Sequence, residues 1–139
     1  MIRGERGQSL IEFALILPVL MILLVGVFDL GRAVLLSETL NTAVREGTRY
    51  AIVHGALASS PSGPLPLTST AIDTAVRRYA TGINSTITIT ITWPDSNSNR
   101  GSEVTVNATT PFTPILSQVF TGGGVAVTLR AGSTMVIQQ

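Results

Sequence analysis

The chain has 139 residues, a formal net charge of +1, 12% charged residues, no lysine and no cysteine. The lack of a basic patch gives no support for nucleic acid as a partner, and the lack of cysteine excludes disulfides, thiolate metal sites and a cysteine nucleophile. This length allows an N-terminal anchor followed by about 110 residues, enough for one small domain with a modest core.

The first predicted element is an apolar helix within residues 4–29, GERGQSLIEFALILPVLMILLVGVFD. The nineteen residues from Leu10 to Phe28 carry one charged side chain, that of Glu12. A helix of this length spans roughly 28 Å, close to the thickness of a hydrocarbon core. The run lacks the small-residue site that ends a removable secretory signal, so we expect it to be retained. A short leader before a large polar remainder favours a cytoplasmic N-terminus in a single-pass arrangement.

Glu12 gives this segment a narrower interpretation. Inserting a carboxylate at mid-bilayer costs about 2.5–3.5 kcal/mol of free energy, and less near the interface. A carboxylate in a membrane segment is therefore interpreted first as a functional residue. A cut after Gly7 would make Gln8 the first residue and Glu12 the fifth, which is the spacing of class III signal peptides cleaved by a prepilin peptidase. In stacked helices, Glu12 of one subunit would neutralise the α-amine of Gln8 in a neighbour and enforce register. Alternatively, Glu12 lies at the headgroup level and extends to water.

Pro18 lies inside the apolar run and removes a backbone donor there. Its ring clashes with the carbonyl of Ala14 in a regular helix, so we expect a kink or a locally unwound turn. The alternative is that the proline is simply tolerated, as prolines in membrane helices often are.

The helical period continues after the apolar run, so residues 29–53 are predicted to be the amphipathic half of the same helix. Its apolar side chains form one stripe: Ala33, Leu36, Leu40, Ala43, Val44, Gly47 and Ala51. Asp29, Arg45 and Glu46 are expected to be packing and surface residues of this helix. The stripe is expected to pack against an extracytoplasmic domain.

The rest of the chain, residues 54–139, predicts a small α+β domain. Residues 54–70 contain three prolines and form a loop, after which Thr70 and Asp73 resemble a capping box that starts a short helix. Alternating patterns predict three strands, which begin near Ile87, Val104 and Val125, with a turn of helix near residues 115–119. The predicted fold class is therefore α+β, with a long N-terminal helix packed on a mainly three-stranded antiparallel sheet.

The residues favour no catalytic chemistry. His54 is a lone histidine at a helix–loop border, the acidic residues form no pair with acid/base or metal-ligand spacing, and no P-loop, GxSxG or HExxH motif occurs. We therefore expect no enzyme activity, no cofactor and no metal. Gly122–Gly124 is interpreted as a flexible turn, and Asn84 and Asn107 begin N-x-[ST] sequons that are candidate glycosylation sites.

The N-terminal sequence resembles the TadE-like family of tight-adherence (Tad) pilus proteins. The elements that carry the resemblance are Arg6-Gly7-Gln8, Glu12-Phe13-Ala14, Leu17-Pro18, Asp29-Leu30-Gly31-Arg32 and residues 43–51, AVREGTRYA. The resemblance implies a pilin or pseudopilin with a leader at 1–7, cleavage between Gly7 and Gln8, and a transmembrane or filament-core segment at 8–28.

The resemblance also implies a role and a set of partners. The role is structural, in the assembly of an adhesive surface filament, with Glu12 and Pro18 in the assembly segment. The implied partners are a prepilin peptidase, other pilin-like subunits that polymerise through the N-terminal helix, an inner-membrane assembly platform and membrane lipid. The alternative is a single-pass anchored binding module that keeps its N-terminus and does not polymerise.

Overall fold

The computed structural model describes residues 5–83 and 86–138, and these residues form an α+β fold, as predicted. The elements in chain order are α1 (Glu5–Val53), α2 (Thr70–Tyr79), β1 (Thr88–Thr92), β2 (Glu103–Phe112), α3 (Ile115–Thr121) and β3 (Val127–Val136). The chain divides into two compact units. The first unit contains the described residues up to Ala33 together with Thr113–Ala126, and the second contains Val34–Phe112 and the described residues from Val127 onward.

Helix α1 is one continuous α-helix of 49 residues. It begins at Glu5 and ends at Val53, which is the predicted end of the amphipathic half. The helix continues through Pro18, so the locally unwound turn that was one of the two expected effects of this proline is not present. The predicted continuity between the apolar and the amphipathic half is confirmed.

The second unit is built around a three-stranded antiparallel sheet in the order β1-β2-β3. In the centre of the sheet Ile89 pairs with Ala108, which pairs in turn with Ala131. Residues of β2 alternate between buried and more exposed positions along the strand, because successive side chains of a strand point to opposite faces. The sheet therefore has one apolar face and one polar face, as the alternating sequence predicted.

The apolar face of the sheet is covered by the second half of α1 and by α2. Leu40 and Val44 of α1, Val76 of α2 and Val106 of β2 are fully buried members of one core cluster. The core further includes Ala43, Ala51, Ile72, Ala80, Ile83, Ile87, Val104, Ala108, Ala131 and Ile137. From Leu36 onward, the predicted apolar stripe of α1 is thus the surface that packs against the sheet and α2.

Gly47 sets how closely α1 and α2 approach each other. A Cβ atom at this position would collide with Cγ2 of Val76, so the two helices pack where α1 has no side chain. One position later on α1, the buried Thr48 hydroxyl donates to the carbonyl of Val44 at 2.8 Å. This bond satisfies the polar group of Thr48 inside the core.

The predicted capping box at the start of α2 is wrong. Thr70 is the first helical residue, the N-cap is Ser69, and its side chain makes no capping hydrogen bond. Asp73 pairs instead with Arg77 one turn later, with Nε and Oδ2 2.7 Å apart. The opposite charge at i+4 gives the carboxylate a side-chain partner that does not depend on the helix end.

Strands β2 and β3 differ in extent from the alternating sequence patterns that predicted them. β2 begins at Glu103, next to the predicted Val104, and includes Pro111, and β3 begins at Val127 instead of Val125 and continues through Gly132. The pairing of β1 with β2 ends at Thr109, so Pro111 lies where β2 has β3 as its one paired strand. Proline is tolerated at such an edge because no ladder bond is lost on the unpaired side.

Candidate functional site

The apolar half of α1 is exposed over most of its length. Side chains from Gly7 to Leu24 are exposed on every side of the helix. By length and composition, α1 is the one helix within the described ranges that is long and apolar enough to cross a membrane, and none of its most apolar stretch is buried. A helix that is apolar all round needs an apolar environment, either lipid or other helices.

The predicted cleavage junction lies near the start of this exposed helix. Gly7 and Gln8 are both helical, and among the described residues no atom outside the adjacent residues and the helix's own backbone lies within 4 Å of a Cβ atom built on Gly7. Glycine is the least favourable residue for a helix apart from proline, by roughly 1 kcal/mol relative to alanine. The junction is therefore sterically open and lies where the helix is intrinsically weak.

Glu12 contacts Gln8 within the same helix. The Gln8 side-chain amide donates from Nε2 to Oε1 of Glu12 at 3.2 Å, and both side chains are exposed. The helical spacing of four residues that allows this bond places the start of the predicted mature chain and the carboxylate on one side of α1. Pro18 lies further along the same exposed segment. The roles predicted for these residues remain predictions.

The two sequons fall in different places. Asn84 lies outside the described residues. Asn107 is exposed on β2, opposite Thr90 and Gly132 in the neighbouring strands. Its Oδ1 lies 2.5 Å from the position that a Cβ atom at Gly132 would take, so a larger residue at position 132 would require the amide side chain to move.

Asp29 is the residue whose role the sequence analysis missed. It was expected to be a packing or surface residue, but the structure buries it to 6% exposure and uses its carboxylate to bind the start of α3. Oδ1 accepts the backbone N–H of Ile115 at 3.0 Å and Oδ2 accepts that of Leu116 at 2.9 Å. These N–H groups have no partner inside α3, so Asp29 supplies from a distant helix the cap that Pro114 does not provide.

The electrostatics of Asp29 follow from these contacts. The N–H of Leu116, then that of Ile115, lowers the pKa of the Asp29 carboxyl below its ordinary value of 3.8, with a smaller contribution from Arg32 that opposes partial desolvation. Arg32 Nη1 lies 3.5 Å from Oδ1. Asp29 and Arg32 thus form an i,i+3 ion pair, but this pair affects the Asp29 carboxyl less than the backbone donors do.

The signal for this role was in the sequence. Asp29 is the first charged residue after Glu12 and directly follows the apolar run. A carboxylate beside an apolar segment needs a partner. Arg32 was an adequate partner from spacing alone, and nothing in the periodicity brings residue 29 to residue 115.

A second feature is a groove of about 490 Å³ in the second unit, between the end of α1 and α2. Its polar lining comes from Glu46, Arg49, Tyr50, Thr74, Arg78 and Tyr79. His54, just beyond α1, stacks on Tyr50 with the ring centroids 3.9 Å apart. Across the part of the chain that is described, no group of three or more His, Cys, Asp or Glu residues is arranged to hold a metal ion.

These observations define a class: a protein with one exposed, membrane-length N-terminal helix that continues into a small α+β domain. Residues 7–49 match the family model described as TadE-like protein, which confirms the resemblance over that segment and indicates association with the Tad pilus and its components. No curated protein and no solved structure matches the chain. The match begins at Gly7 and ends at Arg49, so it covers the exposed half of α1 and most of its packed half.

Proposed function

We propose that the protein is a pilin-like structural subunit of a Tad-type surface filament, acting in pilus assembly and adhesion. The observation that carries the proposal is the apolar half of α1, which is exposed on every side from Gly7 to Leu24 and has Glu12 as its one charged side chain between Leu10 and Phe28, inside the TadE-like match. Before assembly the chain would lie in the cytoplasmic membrane with its N-terminus in the cytoplasm. After assembly the same apolar surface would be buried in the core of an extracellular filament.

The first step of this function is removal of residues 1–7 by a prepilin peptidase. The open geometry around Gly7 and the weak helix preference of glycine support access to this bond. Co-expression with a prepilin peptidase is expected to reduce the mass of the chain by that of residues 1–7, as measured by mass spectrometry of the membrane and sheared extracellular fractions. Gly7→Leu, which adds a side chain at the junction, is expected to retain the full mass.

The second step is pairing between subunits. Cleavage would free a cationic amine on Gln8, and the present contact between Gln8 and Glu12 lies on the side of the helix where that amine would form. In a packed apolar layer, an unpaired carboxylate would cost several kcal/mol, so Glu12 would select the register that brings it to a neighbour's amine.

Substitution of Glu12 tests the pairing step separately from membrane insertion. Glu12→Ala is expected to abolish filaments in sheared fractions while the protein stays in the membrane. Glu38→Ala is the matched control, because Glu38 is an exposed glutamate on the same helix beyond the apolar half. Normal filament assembly by the Glu12→Ala variant would contradict the pairing mechanism.

The partners of this proposal are other pilin-like subunits, the peptidase, an inner-membrane assembly platform and lipid. The role is structural, without catalysis, cofactor or nucleic acid. The exposed sequon at Asn107 is a candidate modification site on the surface of such a subunit.

A second candidate function is an anchored binding module that does not polymerise. The observation in its favour is the polar face of the sheet, which carries exposed threonines of β1 and β3, including Thr90, Thr128 and Thr134. This candidate predicts an intact N-terminus and recovery from the membrane fraction alone. The mass spectrometry described above therefore separates the two functions.

A further inference from the structure

Helix α3 is amphipathic although it is short and contains no charge. At 100° per residue, Ile115, Leu116, Val119 and Phe120 fall within an arc of about 140°. The remaining arc carries the polar side chains Ser117, Gln118 and Thr121. The helix therefore separates an apolar surface from a polar one.

The apolar surface of α3 is largely uncovered within its own unit. Val119 is 73% exposed and Phe120 is 64% exposed, and Val125 in the following turn is 60% exposed. Leu116 is half-buried. Large apolar side chains clustered in an exposed turn indicate a surface that meets an apolar partner.

The position of α3 identifies that partner. Asp29 is the first residue after the segment proposed to span the membrane, residues 8–28, and it binds the N–H groups of Ile115 and Leu116 directly. A helix rises about 1.5 Å per residue, so the start of α3 is held within about one helical turn of the end of the span. This is the depth of the boundary between lipid headgroups and acyl chains.

The charge distribution fits the same boundary. No charged residue occurs between Glu103 and Arg130. The carboxylate of Asp29 already accepts two backbone N–H groups and lies beside the Arg32 guanidinium, so it has donors that do not come from water. Placing α3 in the interface therefore removes no unpaired charge from water.

The glycines after α3 shape the turn that carries Val125. Gly122 adopts a left-handed conformation with φ of 67° and its N–H donates to the carbonyl of Gln118 at 3.2 Å, which ends the helix. The N–H of Val125 then donates to the Ser117 hydroxyl at 3.2 Å. This bond closes the turn back on α3 at Ser117, so the helix and the turn form one closed element.

We propose that α3 and the Gly122–Val125 turn form an interfacial element that docks on lipid, at the surface of the leaflet where α1 leaves the membrane. The occupant is the headgroup–acyl boundary, into which Val119 and Phe120 insert while Thr121 stays on the aqueous side. Amphipathic segments of this kind bury their apolar face about 5–10 Å into that boundary. The inference rests on the proposed membrane span at residues 8–28.

The absence of cysteine makes a direct depth measurement possible, because single cysteines can be labelled without background. The full chain is reconstituted at low density in vesicles of phosphatidylcholine with a minor fraction of phosphatidylglycerol, with a nitroxide at Val119→Cys. Collision rates with oxygen, which partitions into lipid, and with a water-soluble nickel chelate give the depth of the label. Leu20→Cys provides the mid-span reference, Thr88→Cys the aqueous reference, and Thr121→Cys the matched position on the polar side of α3.

The expected result is an oxygen-to-nickel ratio at Val119 between those of Leu20 and Thr88, and higher than that at Thr121. Phe120→Ser, which leaves the label in place, is expected to lower the ratio at Val119 toward the aqueous value. These two results together support lipid docking through the apolar arc.

Three results would overturn the inference in distinguishable ways. If the Leu20 label is in lipid and the Val119 label is in water, α3 does not dock although the membrane span stands. If the Leu20 label is also in water, the span fails and the inference fails with it. If the Val119 label is protected and shows spin–spin broadening that grows with protein density, a second copy of the chain covers α3 instead of lipid.

Discussion

The two halves of α1 share one backbone and one helical period but lie in opposite surroundings. Apolar side chains between Gly7 and Leu24 are exposed, whereas Leu40, Val44 and Ala51 in the second half are fully buried. The first half is apolar on all sides, and the second confines its apolar residues to one stripe. The comparison shows that the distribution of apolar residues around a helix, more than their number, decides whether it packs within its own chain.

The largest expected effect tests the buried half. Leu40→Ala should destabilise the domain by about 2–5 kcal/mol, because it removes a fully buried side chain and leaves a cavity. The measurement is urea unfolding of the full chain in detergent micelles, followed by the fluorescence of Trp93, the single tryptophan.

Leu35→Ala is the matched control for this comparison, because Leu35 lies on the same helix and is 69% exposed. Its effect should stay within about 0.5 kcal/mol. An equal loss of unfolding free energy in the two variants would contradict the conclusion that the stripe, and not the rest of the helix, packs in the core.

The next effect concerns the contact between α1 and α2. Gly47→Ala should cost about 1–3 kcal/mol, since the new methyl group would overlap Val76. The double variant Gly47→Ala with Val76→Ala should lose less than the sum of the two single variants, because the smaller side chain makes room. Strict additivity in the same unfolding assay would show that the helices do not meet at Gly47.

A smaller, local effect is expected at the end of the exposed half. Asp29→Asn replaces a carboxylate that accepts two N–H groups with an amide that has one acceptor oxygen, so α3 should fray while the domain keeps its unfolding midpoint. Faster hydrogen exchange at Ile115 and Leu116, measured by NMR in micelles, would show this. Glu38→Gln, an exposed neutralisation on the same helix, should leave both amides unchanged.

The pH dependence of this contact has a definite sign. The pKa of Asp29 is lowered in the folded chain, so its stabilising contribution is present above the ordinary value of 3.8 and is lost as the pH falls through the folded-state pKa. The amide proton shifts of Ile115 and Leu116 should therefore titrate together with a midpoint below 3.8. A midpoint at or above that value would contradict the capping geometry.

The smallest effect lies on the polar face of the sheet. The hydroxyl oxygens of Thr105 and Thr134 are 2.8 Å apart on neighbouring strands. Thr134→Val should cost about 0.2–1 kcal/mol, the usual range for an exposed cross-strand pair. In a Thr105→Val background the same change should cost less, and an unchanged cost in that background would show that the pair contributes nothing.

Much of the architecture could be predicted because it depends on periodicity. The alternation at Ile87–Trp93 and the three-four spacing from Leu36 to Ala51 each reflect burial on one face, and both appear in the structure. Local turn chemistry was less informative. The pattern at Thr70 and Asp73 fits a capping box, but Asp73 has a nearer cationic partner in Arg77.

The contacts of the candidate site that lie far apart in sequence could not be predicted. The bonds from Asp29 to Ile115 and Leu116 join positions separated by 86 and 87 residues. Each partner has a sufficient local explanation: Asp29 has Arg32 three residues away, and Pro114, which has no N–H and an extended backbone, marks the boundary at which α3 begins. Residue spacing reports contacts between residues that are close in sequence. It therefore could not show that Asp29 binds the start of α3.

The close approach of the Asn107 side chain to Gly132 has an evolutionary consequence. The two positions share one space on neighbouring strands, so a side chain can be gained at one when it is reduced at the other. Among homologous chains that keep this sheet register, residues larger than glycine at position 132 should accompany residues smaller than asparagine at position 107. The pair should therefore covary, and loss of the sequon at Asn107 should coincide with the gain of a side chain across the strand.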